Sequence, residues 1–475
     1  MPTNGQRSKR GRMALASTGA AVASCAALAT LGSGAAIAAT PHQKYHGQKQ
    51  TQTKKTKGAT SSGKAKVTSI PWGTVNVGPS AGQNASLYTL HGAGGMKVKI
   101  DTFGADIQAI DVPNKAGKLV DVALGFPTLQ DYVDDLTQGA TGNDWPIPGS
   151  SGTGATYFGE TVGQYANRIA NGTFPLNGTT YKLDINNGPN DLHGGYYGWS
   201  SYVWSASPAT TKNAASVTMS ANFPAGTGCL PSKTPGCTGF PTAIDASVKF
   251  TVTANNVLHL AYSATNESSS LSTVVNLTNH TYYNLAGQAS GNVYNQDLAI
   301  NSHTYQPTNA SQIPEPPYFL PTKGTPFSFN TGHAIGKYLY ANKLPDGTNS
   351  SITQLQYAHG YDFNWVLNNQ GKNRVDAVAE DPANGITLWQ YTDQPGVQVY
   401  TSNYIEGDIS GTTGTIYRQG QGFTLETQHY PDAPNHQGDP AWPTVVLPAG
   451  QTFKTTTAMK FGIEKPNYVT TVHFK

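Results

Sequence analysis

The feature that most constrains this chain is a two-residue rhythm of side chains, broken at short intervals by turn formers. Met96-Lys-Val-Lys-Ile100, Ser247-Val-Lys-Phe-Thr-Val-Thr253 and Leu258-His-Leu-Ala-Tyr262 largely alternate apolar and polar residues, and Asn-Gly, Pro-Asn and Gly-rich turns separate such runs. Successive side chains of a strand point to opposite faces, so each run offers one greasy and one wettable side, as in an antiparallel sheet packed on a core. The 52 Gly and 30 Pro in 475 residues supply the turns and argue against long helices. No β-rich segment alternates with a long amphipathic helix, and no Walker-type or Rossmann-type loop occurs. Gly92-Ala-Gly-Gly95 lies between strands with no helix after it, which makes it a poor phosphate cradle. The expected fold class is all-β, a large antiparallel β-sandwich. With 37% hydrophobic residues and 25 Tyr, the chain has ample material for its core.

Charge divides the chain. The first 100 residues hold 13 Lys and Arg and no acid, which leaves 17 of the 30 bases against all 27 acids over the remaining 375 residues, a net charge of −10. An acidic body argues against nucleic acid as a partner, because phosphate binding needs clustered cations. Arg7, Lys9, Arg10 and Arg12 precede an Ala-rich apolar run that ends in Ala36-Ile37-Ala38, the pattern of a secretory signal with an A-x-A cleavage site. The run is long enough for a membrane anchor, but its Gly and Ser content makes it weakly hydrophobic, so stable membrane insertion is not expected. Val22-Ala23-Ser24-Cys25 resembles a lipobox, although the apolar run continues well beyond Cys25; lipoprotein anchoring is the alternative to release. From about Thr40 to Ile70 the chain is rich in Lys, Gln, Thr and Ser and too poor in bulky apolar residues to fold. Its seven lysines suit at most a weak contact with an acidic cell envelope polymer. The expected organisation is a signal peptide over 1–38, a flexible basic linker over 39–75 and one β domain over 76–475, in a secreted or extracytoplasmic protein.

Cys25 leaves with the leader. Cys229 and Cys237, in Gly-Cys-Leu-Pro-Ser-Lys-Thr-Pro-Gly-Cys, are then expected to form a structural disulfide that closes a small loop. Two ligands of one type do not make a zinc site.

Candidate chemistry comes from asking what each strand faces. In Val275-Asn-Leu-Thr-Asn-His-Thr-Tyr-Tyr-Asn-Leu285, the period of two puts Asn276, Thr278, His280, Tyr282 and Asn284 on one wholly polar face. Thr424, Glu426 and Gln428 share a face opposite Phe423 and Leu425. Asp362 and Asn364 oppose Tyr361, Phe363 and Trp365, and Gln398 opposes Val397 and Val399. Singly, each residue fits the solvent face of a sheet. Together, faces rich in Asn, Gln, Tyr and His with few Lys or Glu suit a sugar, which wants neutral hydrogen-bonders and one or two titratable groups. Asn167 and Arg168, in Gly163-Gln-Tyr-Ala-Asn-Arg-Ile169, and His193, in Asn186-Asn-Gly-Pro-Asn-Asp-Leu-His-Gly-Gly195, extend the set.

Tyr157-Phe-Gly-Glu-Thr-Val-Gly-Gln-Tyr-Ala-Asn-Arg-Ile-Ala-Asn-Gly172 and the Asn186–Gly195 loop closely resemble the aldose 1-epimerase, or galactose mutarotase, family. The likeness continues through Asn276–Gly287, Gly360-Tyr-Asp-Phe-Asn364, Pro395-Gly-Val-Gln-Val-Tyr-Thr401 and Leu425-Glu-Thr-Gln-His-Tyr-Pro-Asp432, in family order from about Gly95 to Phe461. The resemblance implies the family's single supersandwich with the sugar across a concave face. It also implies His280 as general acid and Glu426 as general base, with Asn167, Arg168, His193, Asp362 and Gln398 binding hydroxyls. Gln164 stands where the family often has Arg, and Phe363 where it has His; both bear on substrate preference. The Cys229–Cys237 loop and the stretch 144–154 look like insertions, the second bordering the site.

The implied reaction interconverts the α and β anomers of free aldohexoses such as glucose and galactose. One base takes the C1 hydroxyl proton while one acid protonates the ring oxygen, so no metal or organic cofactor is needed. The lower limb of its pH profile is expected from Glu426 ionising and the upper limb from a protonated His280 losing its proton. Rival readings are a secreted glycoside hydrolase using Asp362 and Glu426, a non-catalytic carbohydrate-binding protein of the same fold, and a sugar-phosphate epimerase. The binding protein has no need of both His280 and Glu426. The phosphate enzyme needs cations that the motifs, beyond Arg168, do not supply.

Overall fold

The alternating runs form strands. In a computed structural model that describes residues 63–141, 155–339, 350–368 and 370–466, Ile244–Thr253 and Val257–Asn266 pair antiparallel in the middle of a nine-stranded sheet. Along Ile244–Thr253 the apolar residues are buried and the side chains between them lie at or near the surface. A five-stranded meander, Lys66–Thr74, Asn84–His91, Lys97–Asp101, Ile107–Pro113 and Leu119–Asp121, covers that sheet. Leu90, Val98, Ile100 and Ile110 from the meander meet Val217, Val248, Phe250 and Leu260 in one core. A third sheet, of order Leu320–Pro321, Ser302–Tyr305, Asp362–Leu367, Gly396–Tyr400 and Glu426–Gln428, gives Phe363, Trp365, Val397 and Val399 to the same core. The all-β sandwich expected from the periodicity is the observed architecture.

Two expectations need correction. The linker does not extend to residue 75. Lys66–Thr74 is a strand paired with Asn84–His91 from Lys66↔His91 to Thr74↔Asn84. Its side chains are mostly exposed, Ile70 by 55%, which is why composition reads it as unfoldable; an edge strand is held by its backbone ladder and a few anchors. Ala65 is buried, and Trp72 packs against the cluster containing Leu129 and Phe126. Residues 1–62 lie outside the described residues, so the expected signal peptide, Cys25 and the rest of the expected linker do too.

Short helices accompany the strands, as an expectation against long ones allows. Leu129–Thr141 is an α-helix. The hydroxyl of Thr128 accepts from Asp131 N–H and the Asp131 carboxylate accepts from Thr128 N–H, a reciprocal cap that satisfies free donors of the first turn. Leu129, Tyr132, Val133 and Leu136 form its buried stripe. A second, short helix spans Ser350–Tyr357. Among the described residues no helix is long and apolar enough to cross a membrane.

Finally, the polar segment 275–285 is not one strand with a wet face. It breaks into Thr278–Asn279, paired with Thr161–Val162, and Tyr282–Tyr283, paired with Phe423–Thr424. Nearly all of its residues are buried, and Asn276 and Asn284 bond backbone carbonyls of neighbouring loops. Asn and Tyr here replace backbone ladder bonds where the chain changes sheets.

Candidate active site

The third sheet presents one wall of a cavity. Phe363, Val397, Val399 and Leu425 point into the core, so the pleat turns Asp362, Gln398 and Glu426 the other way. Gln398 lies directly across from Glu426, and Asp362 across from Tyr400. The Gln398 amide reaches diagonally to donate to Asp362 Oδ1 at 2.7 Å.

The opposite wall comes from the short pair Arg168–Ile169 with Asp191–Leu192. Asn167 and His193, at its ends, both have left-handed backbone, φ 69° and 57°. The backbone N–H of Asn167 donates to His193 Nδ1 at 3.1 Å. His193 is therefore an acceptor at Nδ1, and as a neutral ring carries its proton on Nε2, a donor for a ligand oxygen. Burial, then the neighbouring His280 and Arg168, push its pKa well below the usual histidine value and keep it neutral. Gly194 follows because a Cβ there would stand 2.5 Å from the Gly163 carbonyl oxygen. Asp184 anchors the loop from behind: its carboxylate accepts from Leu230 N–H at 2.7 Å and from Tyr196 N–H at 3.1 Å. Leu230 lies between Cys229 and Cys237, whose Cα atoms are 5.5 Å apart with the sulfurs at bonding distance.

His280 follows the Thr278–Asn279 strand and is fixed at its backbone, its N–H donating to Glu160 O at 2.9 Å and its carbonyl accepting from Gly159 N–H at 3.1 Å. Its ring sits among Tyr157, Tyr282 and His193, with centroids 5.8, 5.1 and 5.3 Å away. Its Nε2 is 3.4 Å from Glu426 Oε1, and that oxygen also accepts from the Thr424 hydroxyl at 2.8 Å. Burial pushes the His280 pKa down to about 3. Burial, aided by the Asp362 charge, pushes Glu426 up to about 8. The protonated histidine expected from the sequence is thus not the favoured resting form; at neutral pH the pair holds one proton, preferentially on Glu426.

Asn167, Arg168, His193, His280, Asp362 and Glu426 all line one cavity of about 500 Å³. Gln398 is not among the lining residues and reaches the cavity through Asp362. The two family departures do not line it either: Gln164 donates to Thr273 and Val274 behind the wall, and Phe363 packs 4.9 Å from Phe327 in the core, so neither contacts a ligand there. The stretch 144–154 lies outside the described residues. Sequence reasoning missed Asn187, which accepts from Arg168 Nε at 2.9 Å, along with Tyr157, Gln312 and the mouth residues Tyr400, Tyr404 and Asp408. Tyr157, Asn187 and Tyr400 fell within quoted motifs; Gln312, Tyr404 and Asp408 did not. His193, His280 and Glu426 offer three potential metal-ligand atoms within 4.8 Å of one another. The fixed tautomer of His193 presents a proton where an ion needs a lone pair, so the trio suits a hydroxylated organic ligand better than a cation.

A buried histidine–glutamate pair among hydrogen-bonding and charged side chains, on a sandwich of this topology, suits a hydroxylated ligand such as a sugar. Over residues 145–460 the chain matches the aldose 1-epimerase family, and it belongs to that family. It is 34% identical to the galactose mutarotase of Bos taurus over 78% of this chain and 92% of that protein. It is 29% identical to the aldose 1-epimerase of Escherichia coli K12, over 80% and 96%. The galactose 1-epimerase structure from Lactobacillus acidophilus superposes with a TM-score of 0.64 at 22% identity, covering 84% of this chain and 99% of that one, and shares the fold. The chain is accordingly a mutarotase-type enzyme that interconverts anomers.

Proposed function

We propose that the protein exchanges the α and β anomers of free aldohexoses such as glucose and galactose, with Glu426 as base and His280 as acid. The observation that carries this reading is the 3.4 Å approach of His280 Nε2 to Glu426 Oε1 in the cavity wall. Glu426 removes the C1 hydroxyl proton, and that O–H electron pair becomes the aldehyde C=O. The C1–O5 bond breaks, its pair stays on O5, and His280 delivers the proton that O5 takes. Rotation about C1–C2 and the reverse transfers close the ring on either face. After opening, Glu426 is protonated and His280 neutral, which is the form burial favours. The dry site thereby lowers the energy of the open-chain intermediate, while cyclic sugar meets the charge-separated form, helped by Arg168, whose charge draws the Glu426 pKa down. Asn167, Arg168, His193 and Asp362 hold the hydroxyls.

The test is magnetisation transfer between the C1 protons of α- and β-galactose, run beside methyl galactoside. Exchange of the free sugar and inertness of the glycoside, whose C1 oxygen has no proton to give, support the reading; release of methanol identifies a hydrolase.

The basic n-region, apolar run and A-x-A site support export with cleavage after Ala38, and N-terminal sequencing of secreted protein tests it.

A further inference from the structure

Arg168 and Asp362 face each other across the cavity without meeting: NH1 is 3.7 Å from Oδ2. An arginine and an aspartate free to approach form short charge-assisted bonds at about 2.7–2.9 Å, often two at once. The Gln312 amide occupies the place of those bonds. Its Nε2 donates to Asp362 Oδ2 at 2.8 Å, and its Oε1 accepts from Arg168 NH2. The guanidinium is restrained on its other edge by Asn187, and the carboxylate by Gln398.

The chain positions this amide firmly. Gln312 is 8% exposed and has a left-handed backbone, φ 59°. The side chain of Asn309 accepts from Ser311 N–H at 2.9 Å and Ile313 N–H at 3.2 Å. Asn190 holds the Ser311 carbonyl, and Gln354 clamps both backbone groups of Thr308. A primary amide has two N–H donors and two acceptor lone pairs. One of each serves Asp362 and Arg168, and because Gln312 lines the cavity, the others are available to a ligand.

We propose that Gln312 is a positioning residue: it wedges Arg168 and Asp362 apart so that both charges keep hydrogen-bonding capacity for sugar hydroxyls instead of satisfying each other. That the ligand is a sugar rests on the proposed anomer exchange; the wedge itself does not.

Gln312→Ala tests both parts. With the wedge gone, the crystal structure of the unliganded variant should show Arg168 and Asp362 closed to ordinary ion-pair distance. KM for D-galactose should rise about tenfold or more, since bonds to charged groups are lost, while kcat stays within about twofold. The melting temperature should hold or rise, because a direct ion pair replaces the amide. In an Asp362→Asn background the same substitution should add little. A separation still near its present value with normal KM, or a fall in melting temperature with kcat and KM both impaired, overturns the wedge and leaves Gln312 a packing residue. If wild-type protein neither binds nor turns over galactose or glucose, the functional proposal fails, and the Arg168–Asp362 separation in the variant still decides the wedge.

Discussion

His280 and Glu426 face each other at 3.4 Å with both side chains nearly sealed from water, and burial drives the two toward neutrality from opposite directions. Glu426, the proposed base, therefore has the higher pKa and His280, the proposed acid, the lower, so the pair keeps one proton over a wide range.

That inversion sets the pH dependence. On the proposed mechanism activity requires one proton on the pair. It is lost below about 3, where His280 gains a second proton, and above about 8, where Glu426 gives up the first. The limbs are opposite in assignment to those expected from the sequence. The catalytic efficiency should be flat through neutrality and, on the alkaline side, fall as pH rises through about 8. A fall centred near 6.5, the ordinary histidine value, shows that His280 titrates as an exposed imidazole.

On the proposed reading Asp362 carries recognition rather than proton transfer, its carboxylate being held by the Gln312 and Gln398 amides. Asp362→Asn should raise KM about tenfold or more and largely spare kcat. If instead it abolishes turnover while His280→Asn retains it, the two-carboxylate hydrolase becomes the better reading.

The edge strand gives a prediction about truncation. A chain beginning at Gly63 keeps Lys66–Thr74; one beginning at Val75 exposes the neighbouring strand and uncovers the cluster that Trp72 packs against, with Leu129, whose Cδ2 would stand 3.0 Å from a Cβ at Gly73. The shorter chain should lose about 2 kcal/mol or more, the scale of burying one large side chain, read as a drop in denaturation midpoint. Equal midpoints for the two chains contradict the strand's structural role.

For the cysteines, unfolded but unreduced protein should show no free thiol at Cys229 or Cys237. Reduction should cost about 2–3 kcal/mol, as the loop is short. It should also weaken sugar binding, because Leu230 in that loop holds Asp184, which anchors Tyr196 beside the site. Two titratable thiols rule out the bond.

Much of this was legible in sequence because strands write their faces into alternate positions. Phe363 against Asp362, and Val397 and Val399 against Gln398, separate core from site as the period of two requires. Asn167, His193, His280 and Glu426 lie in motifs dense with hydrogen-bonders, and all four reach one cavity. The failures have physical causes. Thr128-Leu-Gln-Asp131 with Leu129, Tyr132, Val133 and Leu136 is a readable helix start that a search for long helices passes over. The 275–285 segment alternates like a strand, but its polar side chains serve buried backbone at sheet crossings. Gln312 sits in a turn-like stretch with nothing local to mark it; only tertiary folding brings it between Arg168 and Asp362.

The central claim is anomer exchange by this one pair, and polarimetry on freshly dissolved α-D-galactose and α-D-glucose tests it most directly, with wild-type, Glu426→Gln and His280→Asn proteins side by side. The wild type should speed the approach to equilibrium rotation well beyond the spontaneous rate, and each substitution should cut turnover by about 10²–10⁴-fold, the range of a general acid–base catalyst, with sugar still bound. A wild-type trace that follows the spontaneous rate, or a variant at either residue that keeps near-normal turnover, contradicts it.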